Sequence, residues 1–308
     1  FQTELSSFYA DPTPAAAKLE RLLTTGEEYL KLQPEKPQPY VSAHMALAAS
    51  RAVLANTYKD LNRAKMLAER ALTLMASPNP PAEYPAEQYG PLRENVLANS
   101  NQFLGYYELE QPTPNIDAAV GFLTKATEVK NKDGLGWKDP NNYWLRATSH
   151  QKLYAKLSGD YKALTDEQKN GDQGKALLEQ INPVIDRMID DYARVVATAA
   201  TNENAKELSK AAKEELDSLW KYRYGKMVNG QNDLIKYFAA DPTVAAPPRT
   251  PDAATADMNA AIPTSAGTKP TLTAASPTAN GAKATTSSKT TKGKTKKPAA
   301  KPKGKKKR

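Results

Sequence analysis

The chain has 308 residues, no cysteine, 43 Lys/Arg against 34 Asp/Glu and a net charge of +9, with an isoelectric point near 9.3. The absence of cysteine excludes a disulfide framework, a thiol nucleophile and a thiolate metal site, and no run of 18 or more apolar residues offers a membrane-spanning helix. The charge is unevenly placed: residues 243–308 hold 14 Lys/Arg and 2 acidic residues, a net of +12, whereas residues 1–242 hold 29 against 32, a net of −3. All 23 aromatic residues precede position 239, so the first 242 residues can build a core and the rest cannot.

Helical periodicity dominates 1–242. Ala15, Leu19, Leu22, Leu23 and Leu30 lie on one stripe of an amphipathic helix. Residues 41–58 read the same way through Met45, Ala48, Ala52, Ala55 and Tyr58. A helix over 63–75 follows after Asp60-Leu61-Asn62, a spacer so short that it forces an antiparallel turn. Further helices are predicted over 92–109, 116–129, 143–157 and 176–200, with Pro183 behind Asn182 reading as an N-cap and a first-turn proline. A last group over 205–238 breaks near Gly225–Gly230. No period-2 run carries hairpin chemistry. Proline and glycine cluster at Pro34/Pro37/Pro39, Pro78/Pro80/Pro81/Pro85, Pro112/Pro114, Gly134/Gly136/Pro140 and Gly171/Gly174, where helices should stop. The predicted fold is all-α: helical hairpins over 1–242, capping helices at about 205–240, and a disordered tail over 243–308.

Two segments are alike. Ala64 and Ala71 stand seven apart, ending Ala71-Leu72-Thr73-Leu74, and Ala119 and Ala126 do the same, ending Ala126-Thr127-Glu128-Val129. The first pair follows Leu54-Ala55-Asn56-Thr57-Tyr58 and the second Leu104-Gly105-Tyr106-Tyr107. This pattern resembles the tetratricopeptide repeat, with Pro78 a loose match to the closing proline of that family. The resemblance implies an α-solenoid of three to four irregular repeats over most of 10–200. In it a small residue late in the first helix admits the second, and two alanines make room for the next repeat. The copies stand 55 residues apart rather than the family's 34, and an ordinary helical bundle is the alternative.

The resemblance also implies a groove lined by the first helix of each pair. Its candidate lining is Asn56, Lys59, Gln102 and Tyr106, suited to holding an extended segment or docked helix of a protein or peptide partner. The order of features is similar to that of bacterial extracytoplasmic proteins with divergent repeats. That likeness implies a cleaved leader ahead of Asp11-Pro12-Thr13 and a periplasmic or secreted location; a cytoplasmic one is the alternative.

The search for chemistry finds little. Gly134-Leu135-Gly136 lacks a third glycine and a preceding strand, and Gly293-Lys294-Thr295 lacks the upstream glycine of a phosphate loop. His44 and His150 stand alone on predicted helices. Residues 131–139 place oxygen ligands at alternating positions, but the glycine offset is wrong for a calcium loop and no closing Glu follows, so a helix-connecting turn is expected. Glu27/Glu28, Asp190/Asp191 and Glu214/Glu215 are adjacent in sequence and point about 100° apart on a helix. No catalytic residue, cofactor or metal is expected. The aromatic and basic run Leu219 to Lys226 reads as a capping helix, its alternative being a stacking or clamping surface.

The last twenty residues hold 11 basic residues and no acid. Lys296, Lys297, Lys301, Lys303, Lys305, Lys306, Lys307 and Arg308 lie in a Lys/Ala/Pro run that resembles the tails of linker histones and some bacterial nucleoid proteins. Such a segment neutralises phosphates without reading bases, and equally suits anionic lipid or an acidic cell-wall polymer. The expected function is a non-enzymatic scaffold that binds a protein or peptide partner while the tail tethers it to a polyanion. In the alternative, the tail binds nucleic acid as the main element and the helices recruit or oligomerise.

Overall fold

A computed structural model describes residues 1–11, 15–32, 34, 38–81, 84–131, 135–200, 202–225 and 230–250. The turn at Pro12-Thr13, Pro37, Gly134 and the whole basic run from Lys296 to Arg308 lie outside the described residues. Among the described residues there are eleven α-helices and no strand. They are α1 (Gln2–Tyr9), α2 (Ala16–Leu32), α3 (Gln38–Leu54), α4 (Leu61–Leu74), α5 (Ala86–Leu109), α6 (Ile116–Glu128), α7 (Pro140–Lys162), α8 (Asp166–Asn170), α9 (Asp172–Ala199), α10 (Lys206–Tyr224) and α11 (Gly230–Ala240). The one extended pairing among these residues is a single bridge between Lys130 and Gly136.

The protein is all-α, and its helices pack chiefly on their chain neighbours. α3 pairs with α4, α5 with α6, and α7 with α9, while α3 also lies on α5 and α9 carries both α10 and α11. Composition decides which helix sits where. α2 is amphipathic and buries Leu19, Leu22 and Leu23 completely, each contributing about 2 kcal/mol. α3 is rich in alanine and buried over most of its length, with Ala43, Ala46, Ala48 and Ala49 fully buried. The turn residues close each hairpin locally: the Asp60 carboxylate accepts from the Arg63 amide at 2.9 Å, and the Asn115 side chain accepts from the Ala118 amide at 3.2 Å.

Both alanine pairs are fully buried, Ala64 with Ala71 and Ala119 with Ala126. Gly105 shows why a small residue is needed in α5: a Cβ there would stand 2.6 Å from Leu123 Cγ and 3.2 Å from the Ala119 carbonyl. Tyr106 packs against both the N-terminal and the C-terminal core clusters and so joins them.

Several boundaries differ from the sequence expectation. α3 ends at Leu54 rather than near Tyr58, because Asn56 adopts a left-handed φ of 59°. The Thr57 amide returns to the Ala52 carbonyl at 2.8 Å and the Asn56 amide to Val53 at 2.8 Å, the two bonds of a Schellman stop. α5 begins at Ala86, with Pro91 inside it, because Tyr89 is buried and donates its hydroxyl to the Ser77 carbonyl at 2.8 Å. Pro183 is not a first-turn proline and Asn182 is not a cap: α9 starts eleven residues earlier, at Asp172, and passes through Pro183. The buried Leu178 and Ile181 hold that first segment down, which outweighs the one lost hydrogen bond.

The folded part does not stop at 242. Residues 243–249 cross α9 without helix or strand, and Val244 and Ala246 pack there against the C-terminal core. Arg194 of α9 donates to the carbonyls of Pro242 at 2.8 Å and Val244 at 3.0 Å. Of the tail expected over 243–308, residues 243–249 pack on the C-terminal core, and those from 251 onward lie outside the described residues.

Candidate partner-binding groove

A concavity lies among α2, α3 and α4. Gly26 lets α2 approach α3, since a Cβ there would stand 2.5 Å from Met45 Sδ. On the other side α4 lies flat on α3 through the fully buried Ala64 and Ala68. Above these contacts the outer faces of α2 and α4 diverge into a half-open groove of about 550 Å³. Leu30, Met45 and Leu67 line it, with Met66 at its lip and Arg63 and Arg70 among its charged groups. Met66 is 64% exposed. A thioether side chain at such a lip adapts its shape to what it meets.

Arg63 braces the groove. It donates Nη1 to Glu20 at 2.7 Å and Nη2 to Glu27 at 2.9 Å, crossing from α4 to both ends of a two-turn span on α2. Burial disfavours its charge, but the bonds to Glu27 and Glu20 outweigh that cost and raise its pKa further above the ordinary arginine value. The result is an apolar surface with a fixed ion triad beside it.

The four groove residues expected from the repeat pattern do not come together. Asn56 and Lys59 are exposed at the turn after α3, where Lys59 Nζ donates to the Asn56 side chain. Asn56 has the structural task of stopping the helix. Gln102 is only 3% exposed and donates to Asp139 Oδ2 at 2.7 Å, so it lines no open surface. Tyr106 is half-buried between the two cores. The physical reason is that α3 and α5 lie in direct contact and α5 reaches α7, so side chains fill the inner face. The tail residues Lys296, Lys297, Lys301, Lys303, Lys305, Lys306, Lys307 and Arg308 lie outside the described residues.

Asp139 caps α7, accepting from the Asn141 amide at 2.9 Å and side-chain amide at 2.8 Å. Burial raises its pKa against the pull of those bonds. The turn before it depends on Gly136, whose φ is +91° and whose Cβ would lie 2.6 Å from the Val129 carbonyl. Of the turn predicted at 131–139, the described residues 131 and 135–139 lie between α6 and α7 with the Asp139 carboxylate buried, and 132–134 lie outside the described residues. No group of three metal-ligating acidic, histidine or cysteine side chains lies together among the described residues.

A buried ionic cluster occupies the far half. Asp191 receives Arg146 Nε at 2.9 Å and Nη2 at 2.5 Å, and Arg194 Nη1 at 3.2 Å. His150 Nε2 lies 3.9 Å from the same carboxylate, and burial lowers its pKa and favours the neutral ring, Asp191 opposing and Arg146 reinforcing this. The neighbouring Ser149 spends its hydroxyl on the Leu145 carbonyl at 2.9 Å. This arrangement ties α7 to α9 and presents no paired nucleophile and base.

The groove between α2 and α4 was missed by sequence reasoning. Its one trace is Met66, an apolar residue two positions from Ala64 and so off the alanine face. No protein family matches the chain, no curated protein matches it, and no solved structure matches it.

Proposed function

We propose that this protein is a non-enzymatic interaction scaffold whose helical part takes a helical segment of a protein partner in the groove among α2, α3 and α4. The observation that carries the reading is the juxtaposition of an apolar lining of Leu30, Met45 and Leu67 with the exposed Met66 and the charged Arg63 and Arg70. An amphipathic helix with an apolar ridge and acidic flanks fits that chemistry: the ridge covers Leu30, Met66 and Leu67 and the flanks reach Arg70. The helical-hairpin order, the buried alanine pairs and the close approach at Gly105 support a divergent tetratricopeptide-like repeat as the frame.

In this reading the basic run from Lys296 to Arg308 tethers the scaffold to a polyanion, with a periplasmic or secreted setting. Among the described residues no helix is long and apolar enough to cross a membrane. The test is cross-linking of the full chain in source cells, comparing the native protein with Met66→Asp and Arg70→Glu. A partner captured by the native chain and lost from both variants, with helicity unchanged, supports the groove. A partner captured equally by all three places binding elsewhere. Capture that nuclease abolishes supports the alternative, in which the tail on nucleic acid is the main element.

A further inference from the structure

The strap that follows α11 is held in an unusual way for a segment beyond the last helix. It contributes no helix or strand of its own over 244–250. Its main chain is read by side chains of the folded part: Arg194 takes the Pro242 and Val244 carbonyls, and the Tyr237 hydroxyl donates to the Ala245 carbonyl at 3.1 Å. Such contacts recognise main chain whatever its side chains: a turn at 242–243, which Asp241 closes by accepting from the Thr243 amide at 2.8 Å, and irregular backbone from Ala245 onward. Specificity enters at two points. Val244 and Ala246 lie against the apolar surface of the C-terminal core. Beyond them Pro247-Pro248 stiffens the chain and delivers Arg249 into a cage.

The cage holds one edge of the guanidinium and two of its faces, while Arg249 Nη1 is buried without a hydrogen-bond partner. Arg249 Nη2 donates to the Asp190 carboxylate and approaches the Asp186 carbonyl at 3.5 Å. Its guanidinium carbon lies 5.9 Å from the Trp220 ring centre and 5.5 Å from that of Tyr224, the spacing of cation–π contact. Tyr224 is itself locked by its hydroxyl on Asp186 at 2.6 Å, and Arg223 pairs with the same carboxylate at 3.1 Å. The walls of the cage are thus organised by α9 and α10 rather than by the strap. Asp190 is largely buried, and burial raises its pKa against the opposing pull of Arg249 and Arg194.

We propose that the seam of α9, α10 and α11 is a recognition site for a peptide carrying Pro-Pro-Arg, and that residues 242–249 are its tethered occupant. Backbone-reading arginine, apolar shelf and arginine cage are the elements of a peptide groove, here filled in cis. A tethered segment competes at millimolar effective concentration, so a free peptide of the same chemistry enters only when the strap is weakened. This site is separate from the α2–α4 groove, and the two stand or fall independently.

The test uses the full chain carrying Val244→Ser, Pro247→Ser, Pro248→Ser and Arg249→Ser. A fluorescent peptide of residues 242–250 is titrated into it and into the native chain, with binding read by anisotropy. The expected result is saturable binding at least about tenfold tighter to the substituted chain than to the native one. Replacing the peptide's arginine by alanine, or adding Asp190→Asn to the protein, should weaken it at least about tenfold. Equal affinity for native and substituted chains, or indifference to the arginine and to Asp190, overturns the proposal. Should the fourfold variant lose helicity, the single variant Arg249→Ser takes its place: tighter peptide binding than the native chain supports the site, and equal binding overturns it.

Discussion

Arg194 donates its Nε to the carbonyl of Pro242 at 2.8 Å, joining the C-terminal part of α9 to a residue 48 positions later. The same guanidinium holds Asp191 at 3.2 Å and lies 3.9 Å over the Phe238 ring. One buried side chain therefore fastens the ionic cluster, α11 and the strap.

Arg194→Ala should cost about 3 kcal/mol, because it leaves two carbonyls without their donor and takes from Asp191 one of its two guanidinium partners, Arg146 remaining. It should also speed tryptic cleavage after Arg249 by about tenfold or more, as the strap lifts. Arg194→Lys retains the charge but not the fork, so its effect should be intermediate. Urea titration and mass spectrometry of the cleavage products measure both.

Asp191 and Asp139 are both buried carboxylates with opposite dependences. Burial alone would raise the pKa of Asp191, but Arg146 and Arg194 lower it below the ordinary aspartate value. Its contribution is present above about pH 4 and is lost as pH falls through the folded value. Asp191→Asn should cost about 3 kcal/mol at pH 7. Asp139 is raised instead, so its ionised form loses stability as pH climbs above the ordinary aspartate range. Asp139→Asn keeps the cap and removes that charge, and should lie within about 1 kcal/mol of the native chain. Thermal melts of the two variants at pH 7 decide the contrast.

Gly105→Ala adds a good helix former, a gain of about 1 kcal/mol, yet it should destabilise the protein by about 2 kcal/mol net. The added carbon meets Leu123 Cγ at 2.6 Å and the Ala119 carbonyl at 3.2 Å, forcing α5 and α6 apart. Combined with Leu123→Ala, the cost should be less than the sum of the single changes, because the clash and the cavity compensate. Urea midpoints of the three variants measure the difference.

His44 is held near pKa 4 by burial, its ring 4.4 Å from Tyr40 and 6.2 Å from Tyr9. The unfolded chain takes up that proton near pH 6.5 and the folded chain does not. Stability should therefore fall by about 2 kcal/mol as pH drops from about 6.5 toward 4. His44→Gln should flatten that part of the profile, read as the urea midpoint at about pH 7 and about pH 5.

Deleting 289–308 removes 11 positive charges and leaves a net of −2. Retention on heparin should disappear at about 150 mM salt, with helicity and melting temperature unchanged. Salt-sensitive retention by the shortened chain would refute the charge partition.

Much of the helical order was legible because helix formation is local. Leu19, Leu22 and Leu23, or Ala64 and Ala71, mark a buried stripe through spacing alone, and the buried pairs bear this out. Close approach at Gly105 was expected only through the resemblance to the tetratricopeptide repeat. Pro183 misled, because a proline's local cost is about 3 kcal/mol and the packing of Leu178 and Ile181 exceeds it. Gln102 misled because its partner, Asp139, is 37 residues away.

Periodicity, composition and charge established an all-α chain of consecutive hairpins and a segregated basic end, since each depends on residues a few positions apart. The packed chain alone assigns the groove beside Met66, the burial of Gln102 and the seat of Arg249. Each of these is set by side chains that meet from distant helices, where complementarity of shape and charge, rather than spacing along the sequence, selects the contact.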